Sequence, residues 1–403
     1  MVPEELLVEL DRRLEPVDAA RLAAYPGESP DRQPVHTCYV PADAVVPGLS
    51  TAWGTAALAA LDEHGLPDLG LDPALVDEVL PRVRAKLATE PVEDLRVDAE
   101  DGYRGGPGAE DGDVRAAAAV LAAEPVRPAY LGIRAKSLEG PTRRRGVRTL
   151  DLFLVGLAGS GRQRAIVTLP KVTAAEQVAA FLPVLDALEQ SAGLGLDLEL
   201  QVETPQAVLG ADGTTTLARM LHAGGGRVTG LHHGTYDYSA SLGIAAAHQS
   251  ADHPAADAAK QAMQVAVAGT AARAVDGSSN VLPVGERAQV HAAWVLHAGL
   301  VRRALERGFY QGWDLHPAQL VTRYVATYAF FRAALPAAAA RLDAYVHEVA
   351  GGVLDEPATA RALATVVLRG LDCGALDAGE VQVATGLDRA GLDRLAGRRS
   401  GAG

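Results

Sequence analysis

The feature that most constrains this chain of 403 residues is a regular alternation of β-rich and helical segments. Short β-rich runs are separated by helical stretches at a spacing of roughly 30 residues, which predicts parallel strands joined by crossover helices. Six strands are predicted, at 35–41, 94–98, 129–134, 165–171, 196–203 and 227–231. Later helices are predicted near 255–274, 287–307 and 321–350.

The turns after these strands decide between two kinds of parallel sheet. A dinucleotide-binding open sheet carries a Gly-x-Gly-x-x-Gly turn, and no such run occurs in the sequence. The pattern therefore favours an α/β fold of the (β/α)8 TIM barrel type, with its chemistry at the carboxyl ends of the strands. We expect an N-terminal helical extension over 1–34 and a catalytic barrel over 35–325, with a helical insert near 50–90. A C-terminal helical region is expected over 326–403.

Charge and cysteine content exclude several functions. The net charge of −13 argues against nucleic acid or an anionic membrane surface as the main partner, because both repel an acidic protein. Cys38 and Cys373 provide neither a disulfide framework nor a cysteine zinc site, and Cys38 fits a small buried apolar residue. No apolar run is long enough to span a membrane, and no secretory signal opens the sequence. We expect a cytoplasmic protein.

Ionisable side chains stand at or just after the carboxyl ends of the predicted strands, where a barrel places its chemistry. Glu203 and Asp237 lie about one strand–helix repeat apart, so we expect them at neighbouring strand ends. Two adjacent carboxylates repel each other unless a cation lies between them, which predicts Mg²⁺ as the ligand, with Mn²⁺ as the alternative. The candidate site residues are His36, Glu100, Asp101, Arg134, Lys136, Lys171, Glu203, Thr204, Pro205 and Asp237.

A divalent ion at this place would polarise a carbonyl group and stabilise an enolate. Arg134 would bind the carboxylate of a 2-keto acid, or share the enolate charge, through its planar guanidinium. Glu100 and Asp101 would orient metal-bound water. The general base stays open between His36, His233 and a metal-bound hydroxide.

Several of these residues also have a purely structural interpretation. Glu203 fits an acid at the start of a helix, Asp237 fits a capping residue, and the acidic run at 98–101 fits a solvated loop. Lys171 could form a Schiff base in a metal-free aldolase, but the carboxylate pair would then have no role. The basic run at 143–145 fits a solvated turn better than a phosphate site.

Short motifs, in this order, resemble those of the citrate lyase β-subunit and HpcH/HpaI aldolase superfamily, which are phosphoenolpyruvate/pyruvate-binding barrels. The first strand is similar to the family's Arg-Ser-x-Leu-Phe-Val-Pro, and the second strand end is similar to its Asp-Leu-Glu-Asp. Later runs resemble Val-Arg-x-Asn, Leu-Pro-Lys-Val, Ile-Glu-Thr, Gly-x-x-Asp, Ala-Ile-Asp and Ile-His-Pro-x-Gln-Ile. The corresponding segments here are 36–41, 98–101, 133–136, 169–172, 202–204, 234–237, 272–276 and 315–320.

The resemblance implies a Mg²⁺-dependent aldolase or lyase that acts on a carbon–carbon bond through a metal-bound enolate of a 2-keto acid or acyl-CoA. It implies Glu203 and Asp237 as metal ligands and Arg134 as the substrate anchor, with a homo-oligomer, trimer or hexamer, as the assembly. Further substrate contacts are assigned to Lys136, Lys171, Thr204 and Pro205.

Two positions depart from the family pattern. His36 stands where the family has arginine, and Lys136 stands where it has asparagine. Two alternatives therefore stay open. The same barrel could serve an acyl-CoA thioesterase or a phosphoenolpyruvate-using enzyme, or it could be a non-catalytic binding or complex subunit.

Overall fold

The computed structural model describes residues 2–106, 108–346 and 356–398. The described residues contain eight parallel strands of three to eight residues. They are β1 (His36–Pro41), β2 (Asp94–Asp98), β3 (Tyr130–Arg134), β4 (Arg164–Leu169), β5 (Gly195–Val202), β6 (Val228–His233), β7 (Arg273–Val275) and β8 (Gly312–Asp314).

These strands form one sheet in the order β7-β6-β5-β4-β3-β2-β1-β8. The first strand pairs with both the second and the last, so the sheet curves into a barrel. No strand pairing joins β7 to β8 within the described residues, but the N–H of Asp276 donates to the carbonyl of Gln311 across this seam at 2.9 Å. The predicted (β/α)8 barrel is confirmed.

Helices cover the outside of the barrel and extend it at both ends. They are α1 (Glu4–Ala24), α2 (Leu49–His64), α3 (Pro73–Thr89), α4 (Glu110–Ala123), α5 (Arg143–Gly156), α6 (Ala175–Ala192), α7 (Pro205–Val208), α8 (Thr216–Ala223), α9 (Thr235–Ser241), α10 (Pro254–Val267), α11 (Arg287–Glu306), α12 (Gln319–Val346), α13 (Pro357–Cys373), α14 (Ala378–Thr385) and α15 (Arg389–Ala396). Short 3-10 helices lie at Ala42–Ala44 and Ala246–His248. None of the helices that the structure describes combines the length and the apolar character needed to cross a bilayer.

The strands are buried on both faces, and their side chains alternate between the helices and the barrel interior. Leu95 and Val97 of β2 join the apolar core under the helices, whereas Asp94, Arg96 and Asp98 point inward. The fully buried Arg96 guanidinium donates to the carboxylates of Asp94 and, on β5, Glu199 at 2.8 and 2.9 Å. The barrel interior therefore contains a polar layer instead of only branched apolar residues.

Helices extend the barrel on its N-terminal and C-terminal sides. The N-terminal α1 contains no buried residue. At the other end, α12 begins at Gln319 and runs through the expected boundary between 325 and 326. It packs against α3 and α11 of the barrel, and its later residues join α13 to α15 in a separate apolar cluster. The end of the helix predicted over 321–350, and residues 347–355 and 399–403 of the predicted C-terminal region, lie outside the described residues.

The structure differs from the predicted elements in three details. The helix predicted over 255–274 ends at Val267, and 273–275 form β7. The last strand, β8, was not predicted, because three residues are too few to show a period of two. The basic run at 143–145 lies in the first turn of α5, where the Arg145 guanidinium pairs with Glu110 of α4.

Candidate functional site

A cavity of about 730 Å³ opens at the carboxyl ends of the strands. Its walls come from residues at the ends of β1, β2, β3, β5 and β8 and from the first turn of α9. They include Tyr39, Asp98, Arg134, Glu203, Asp237 and Trp313. The structure therefore brings three of the predicted site residues, Arg134, Glu203 and Asp237, to one cavity, and the Asp101 side chain also contributes to its lining.

Glu203 follows β5 directly and has only 1% of its surface exposed. One carboxylate oxygen accepts the backbone N–H of Lys171 at 2.7 Å, and the other accepts the amide of Gln201 at 2.5 Å. Burial, reinforced by the nearby charge of Asp237, raises the pKa of Glu203 to about 8 although Arg134 opposes the shift. The charged form of this carboxylate is therefore not fully compensated by the groups around it.

Gly234, which precedes α9, allows Glu203 to reach this position. A Cβ atom at residue 234 would lie 2.4 Å from Glu203 Cβ and 2.6 Å from its Oε2. Any larger residue would displace the carboxylate. Asp237 then follows in the first turn of α9, where its side chain is partly exposed at the cavity mouth.

The ammonium group of Lys171 lies among three acidic side chains of this region. Its Nζ donates to Glu100 Oε1 at 2.5 Å and Asp101 Oδ2 at 2.8 Å, and it lies 3.5 Å from Asp237 Oδ2. Burial lowers the pKa of Lys171, but the hydrogen bonds to Asp101 and Glu100 outweigh it and raise the pKa overall. The lysine is therefore a charged ammonium group, not the neutral amine that a Schiff base requires.

Lys171 is also, within the described part of the chain, the one residue other than glycine with a positive φ, at 52°. This left-handed conformation costs an ordinary side chain on the order of 1 kcal/mol and persists where the surroundings hold it. Its backbone N–H is fixed by Glu203 and its ammonium group by the acidic residues. Both ends of the residue are therefore held by the site.

Arg134 ends β3 directly opposite Asp98 of β2 in the strand register. The Asp98 carboxylate accepts hydrogen bonds from Nε and Nη2 of Arg134 at 2.8 and 2.6 Å. The third guanidinium nitrogen, Nη1, donates to Gln201 Oε1 at 3.3 Å. The guanidinium lies over the Tyr39 ring at 4.9 Å. Two of its three nitrogens are thus engaged by one carboxylate, and Nη1 has the longer bond to Gln201.

His36, predicted as a catalytic residue, does not line the cavity. Its ring lies on the helix-facing side of β1, fully buried, 5.5 Å from the Tyr324 ring of α12. Nδ1 is 3.0 Å from Asp314 and Nε2 accepts the N–H of Glu93. Side chains alternate along a strand, so His36 and the inward-facing Tyr39 lie on opposite faces.

His233, the other histidine considered as a base, is fully buried and its ring packs 5.4 Å from that of Tyr238. Burial lowers the pKa of His233 to about 4. Neither histidine contributes to the cavity lining. A general base must lie within hydrogen-bond reach of the proton that it removes, and neither imidazole ring lies in the cavity.

Three residues assigned to substrate binding also lie elsewhere. Thr204 Oγ1 donates to the Val172 carbonyl and caps α7, and Pro205 is the first residue of that helix. Lys136 donates to the carbonyl of Ala99 at 3.3 Å. None of these side chains forms part of the cavity lining, and the polar groups of Thr204 and Lys136 bond to backbone carbonyls instead.

Other residues of the site were missed. Asp98 and Gln201 share an inward face with Arg96 and Glu203 on their own strands, so the period of two along β2 and β5 could have found them. Asp43 lines the cavity from the 3-10 helix after β1. The alternation of residues along a strand cannot predict its position, because it does not lie on a strand.

The residues at the mouth fit a small divalent cation. Glu203 and Asp237 offer only oxygen atoms, which Mg²⁺ prefers, and one or two carboxylates suffice when water and substrate complete the shell. Each Glu203 oxygen that accepts a hydrogen bond retains a second lone pair. The incompletely compensated charge of Glu203 is a further reason for a cation at this place.

A second group of possible metal ligands lies on β1 and β8, outside the cavity. Potential ligand atoms of His36, Cys38 and Asp314 lie within 4.8 Å of one another, the one such group of three in the described residues. Burial raises the pKa of the Cys38 thiol, and Arg323 pairs with Asp314 at 2.9 Å. With both His36 nitrogens engaged, this cluster is a buried hydrogen-bond network that is complete without an ion.

Solved structures with a similar fold include a citrate lyase from Burkholderia xenovorans LB400, at 19% identity and a TM-score of 0.58, covering 86% of this chain and 97% of that one. A CitE protein from Mycobacterium tuberculosis, in complex with magnesium, acetoacetate and coenzyme A, has 18% identity and a TM-score of 0.52, covering 85% and 98%. Malate synthase from Haloferax volcanii has 15% identity and a TM-score of 0.50, covering 74% and 76%.

The resemblance inferred from the motifs is therefore confirmed at the level of the fold. None of the curated proteins matches the chain. A family model described as a domain of unknown function, DUF6986, matches residues 14–400. The chain belongs to this family.

Proposed function

We propose that the protein is a divalent-cation-dependent enzyme that cleaves or forms a carbon–carbon bond next to the carbonyl of a 2-keto acid or acyl-CoA. The observation that carries the proposal is the convergence of Glu203, Asp237 and Arg134 on one cavity at the carboxyl ends of the barrel strands. Similar barrels occur in a citrate lyase and in a CitE protein bound to magnesium, acetoacetate and coenzyme A, which supports this class of substrate.

Glu203 and Asp237 would hold the cation, with Mg²⁺ as the natural ion and Mn²⁺ as a substitute. When bound, it would supply electrostatic stabilisation for negative charge that develops on a carbonyl oxygen. Gln201 keeps the Glu203 carboxylate oriented through its amide. Lys171 holds Glu100 and Asp101 close to the site, so these two residues shape its edge instead of binding the ion directly.

Arg134 would attract the substrate carboxylate through Nη1, because Asp98 already occupies the other two nitrogens. The rings of Tyr39 and Trp313 are 4.6 Å apart and both line the cavity. Flat aromatic walls beside one fixed positive charge suit a planar keto-carboxylate group. Arg134 therefore acts as a point of attachment whose orientation is set by Asp98.

Asp43 is our choice for the proton acceptor. It lines the cavity, is exposed, and its carboxylate makes no hydrogen bond or ion pair with the described residues. Asp98, Asp101 and Glu203 are each engaged by a cation or by N–H donors. A free carboxylate at the mouth can remove the hydroxyl proton during cleavage, or an α-proton during condensation.

The experiment combines metal binding with turnover. The wild type, Glu203→Gln and Asp43→Asn are titrated with Mn²⁺ by calorimetry and then assayed for cleavage and condensation with a panel of 2-keto acids and acyl-CoA esters. We expect Mn²⁺ binding and metal-dependent turnover in the wild type, and loss of both in Glu203→Gln. Asp43→Asn should bind Mn²⁺ normally but turn over about 100-fold more slowly. Asp77→Asn, at an exposed position of α3 outside the cavity lining, is the matched control.

Other outcomes separate the alternatives. Turnover that survives both EDTA and Glu203→Gln would contradict the proposed metal dependence. Release of CoA without carbon–carbon cleavage would identify a thioesterase. Mn²⁺ binding without turnover across the whole panel would favour a non-catalytic binding subunit.

A further inference from the structure

The cavity at the carboxyl ends of the strands contains a further cationic side chain, Arg104. This residue is exposed in the loop between β2 and α4 and contributes to the cavity lining. Its guanidinium makes no hydrogen bond or ion pair with any residue that the structure describes, although the same lining contains five carboxylates. Arg104 therefore differs from Arg134, the other arginine of the lining, which Asp98 binds at two nitrogens.

The loop that carries Arg104 is held at its start by Asp98. The N–H of Gly102 donates to Asp98 Oδ2 at 2.9 Å, and a Cβ atom at residue 102 would collide with the same oxygen. Glycine is therefore needed for the chain to come this close to the carboxylate. The side chain that orients Arg134 thus also fixes the loop on which Arg104 lies.

The loop is held a second time by Tyr103. The hydroxyl of this residue donates to Asp113 of α4 at 2.6 Å, and its ring packs against the apolar core. The chain then turns back over the ring, so that a Cβ atom at Gly105 would collide with it. Both neighbours of Arg104 in the sequence are therefore fixed, while its own side chain stays free at the cavity.

The other charged groups of the site already have partners. Asp98 binds Arg134, and the ammonium group of Lys171 lies among acidic side chains. The cation would take up the charge of Glu203. Among the described residues of the lining, Arg104 is then the one positive group that is free to bind an anion. A guanidinium offers several N–H donors in a planar fork, which matches the oxygen atoms of a carboxylate or a phosphate.

We propose that Arg104 is a specificity-determining residue that binds a second anionic group of the substrate, at the end away from the reacting carbonyl. The inference rests on the proposed function, in which Arg134 and the cation bind the keto-carboxylate end. Both arginines line the same cavity, which allows one substrate to contact both. The second anionic group is the distal carboxylate of a dicarboxylic acid or a phosphate of an acyl-CoA.

The experiment measures ligand binding by calorimetry in the presence of Mn²⁺. The ligands come in pairs that differ in charge at the far end. The first type of pair consists of 2-keto acids of four, five or six carbons, each as the dicarboxylate and as the monocarboxylate of the same length. The second type is acetyl-CoA with acetylpantetheine, which lacks the phosphates. We expect the charged member of at least one pair to bind at least about tenfold more tightly to the wild type.

Variants connect this preference to Arg104. In Arg104→Gln the ratio of the two affinities should fall by at least about tenfold, whereas Arg104→Lys should retain most of it because the charge is kept. Arg115→Gln, at an exposed position of α4 outside the cavity lining, is the matched control and should leave the ratio unchanged. An Arg104-dependent preference in the keto acids would identify a distal carboxylate, and one confined to the thioesters would identify a phosphate.

Four results would overturn the inference. They are equal binding of both members of every pair by the wild type, a preference that survives in Arg104→Gln, the same loss of preference in Arg115→Gln, and no retention in Arg104→Lys. A wild type that binds no Mn²⁺ would instead contradict the proposed function. The same titrations in EDTA would then decide on Arg104 separately, since an Arg104-dependent preference without metal would support its role and an absent preference would overturn it.

Discussion

Asp98 and Arg134 stand directly opposite each other on β2 and β3, and the Asp98 carboxylate receives two guanidinium nitrogens at 2.8 and 2.6 Å. The same carboxylate accepts the N–H groups of Glu100 and Gly102 at 2.9 Å. One side chain therefore fixes both the arginine of the cavity and the turn that carries the acidic residues. Arg134 is an oriented group whose position depends on its neighbour.

Asp98→Asn should be strongly destabilising. The change leaves the buried Arg134 guanidinium without its charged partner, and breaking a buried ion pair in this way costs about 3–5 kcal/mol. Urea denaturation should show this loss. Asp43→Asn, a change of the same type at an exposed position of the same cavity, should change the free energy of unfolding by less than about 0.5 kcal/mol. Similar losses in the two variants would contradict the role given to Asp98.

Gly234→Ala should impair metal binding without a general loss of helix or strand stability. The added Cβ would meet Glu203 at 2.4 Å, so the carboxylate must move away from Asp237. Calorimetric titration with Mn²⁺ should show an affinity at least about tenfold weaker. The control is Gly112→Ala in α4, where an added Cβ meets nothing within 4 Å and alanine favours the helix. An unchanged Mn²⁺ affinity in Gly234→Ala would contradict the assignment of Glu203 as a metal ligand.

Lys171→Met should have opposite effects on stability and on metal affinity. Without the ammonium group, Glu100, Asp101 and Asp237 repel one another, so the melting temperature in EDTA should fall. The same change removes a competing positive charge, and Mn²⁺ affinity should rise by about tenfold. Lys171→Arg, which keeps the charge, should show neither change to this extent. A weaker Mn²⁺ affinity in Lys171→Met would mean that the lysine helps to organise the ligands instead of competing with the ion.

His233 should give the stability of the protein a defined acid dependence. Burial lowers its pKa from 6.5 to about 4, so the unfolded chain binds a proton in this window that the folded chain does not. The stabilising contribution is complete above pH 6.5, declines as the pH falls, and levels off below pH 4, with a total of about 3 kcal/mol. Unfolding free energies of the wild type and His233→Gln should therefore converge by this amount between pH 7 and pH 4. A constant difference would show that His233 does not titrate in this way.

The barrel could be predicted because its strongest signal is local. Each β-rich run of five or more residues was found within a few residues of its observed bounds, as for 94–98 and β2. The strands β7 and β8 contain three residues each, and tertiary pairing rather than local pattern makes them strands. The candidate ligands Glu203 and Asp237 were reached through the spacing of strand ends, and that spacing follows from the repeat of the fold.

Some predicted site residues lie outside the cavity for a different reason. His36 was assigned from its place in a motif, but the pleat of β1 directs its ring toward α12. Thr204 is next to Glu203 in sequence and on the other side of the chain in space, where it caps a helix. The hydrogen bonds between the Lys171 ammonium group and the acidic residues need a left-handed backbone at Lys171 and the approach of two loops that are distant in sequence. A local sequence pattern predicts neither of these features.

In the pairing of β1 with β8, His36 lies opposite Gly312. The first and the last strand of the barrel, which are far apart in sequence, are therefore neighbours in the sheet. During synthesis the first strand would leave the ribosome with one edge exposed until almost the whole barrel had followed it. Contacts between such distant residues slow folding and leave unpaired strand edges open to wrong partners. We therefore expect the nascent chain to complete its barrel late and to depend on protection of the β1 edge until the last strand arrives.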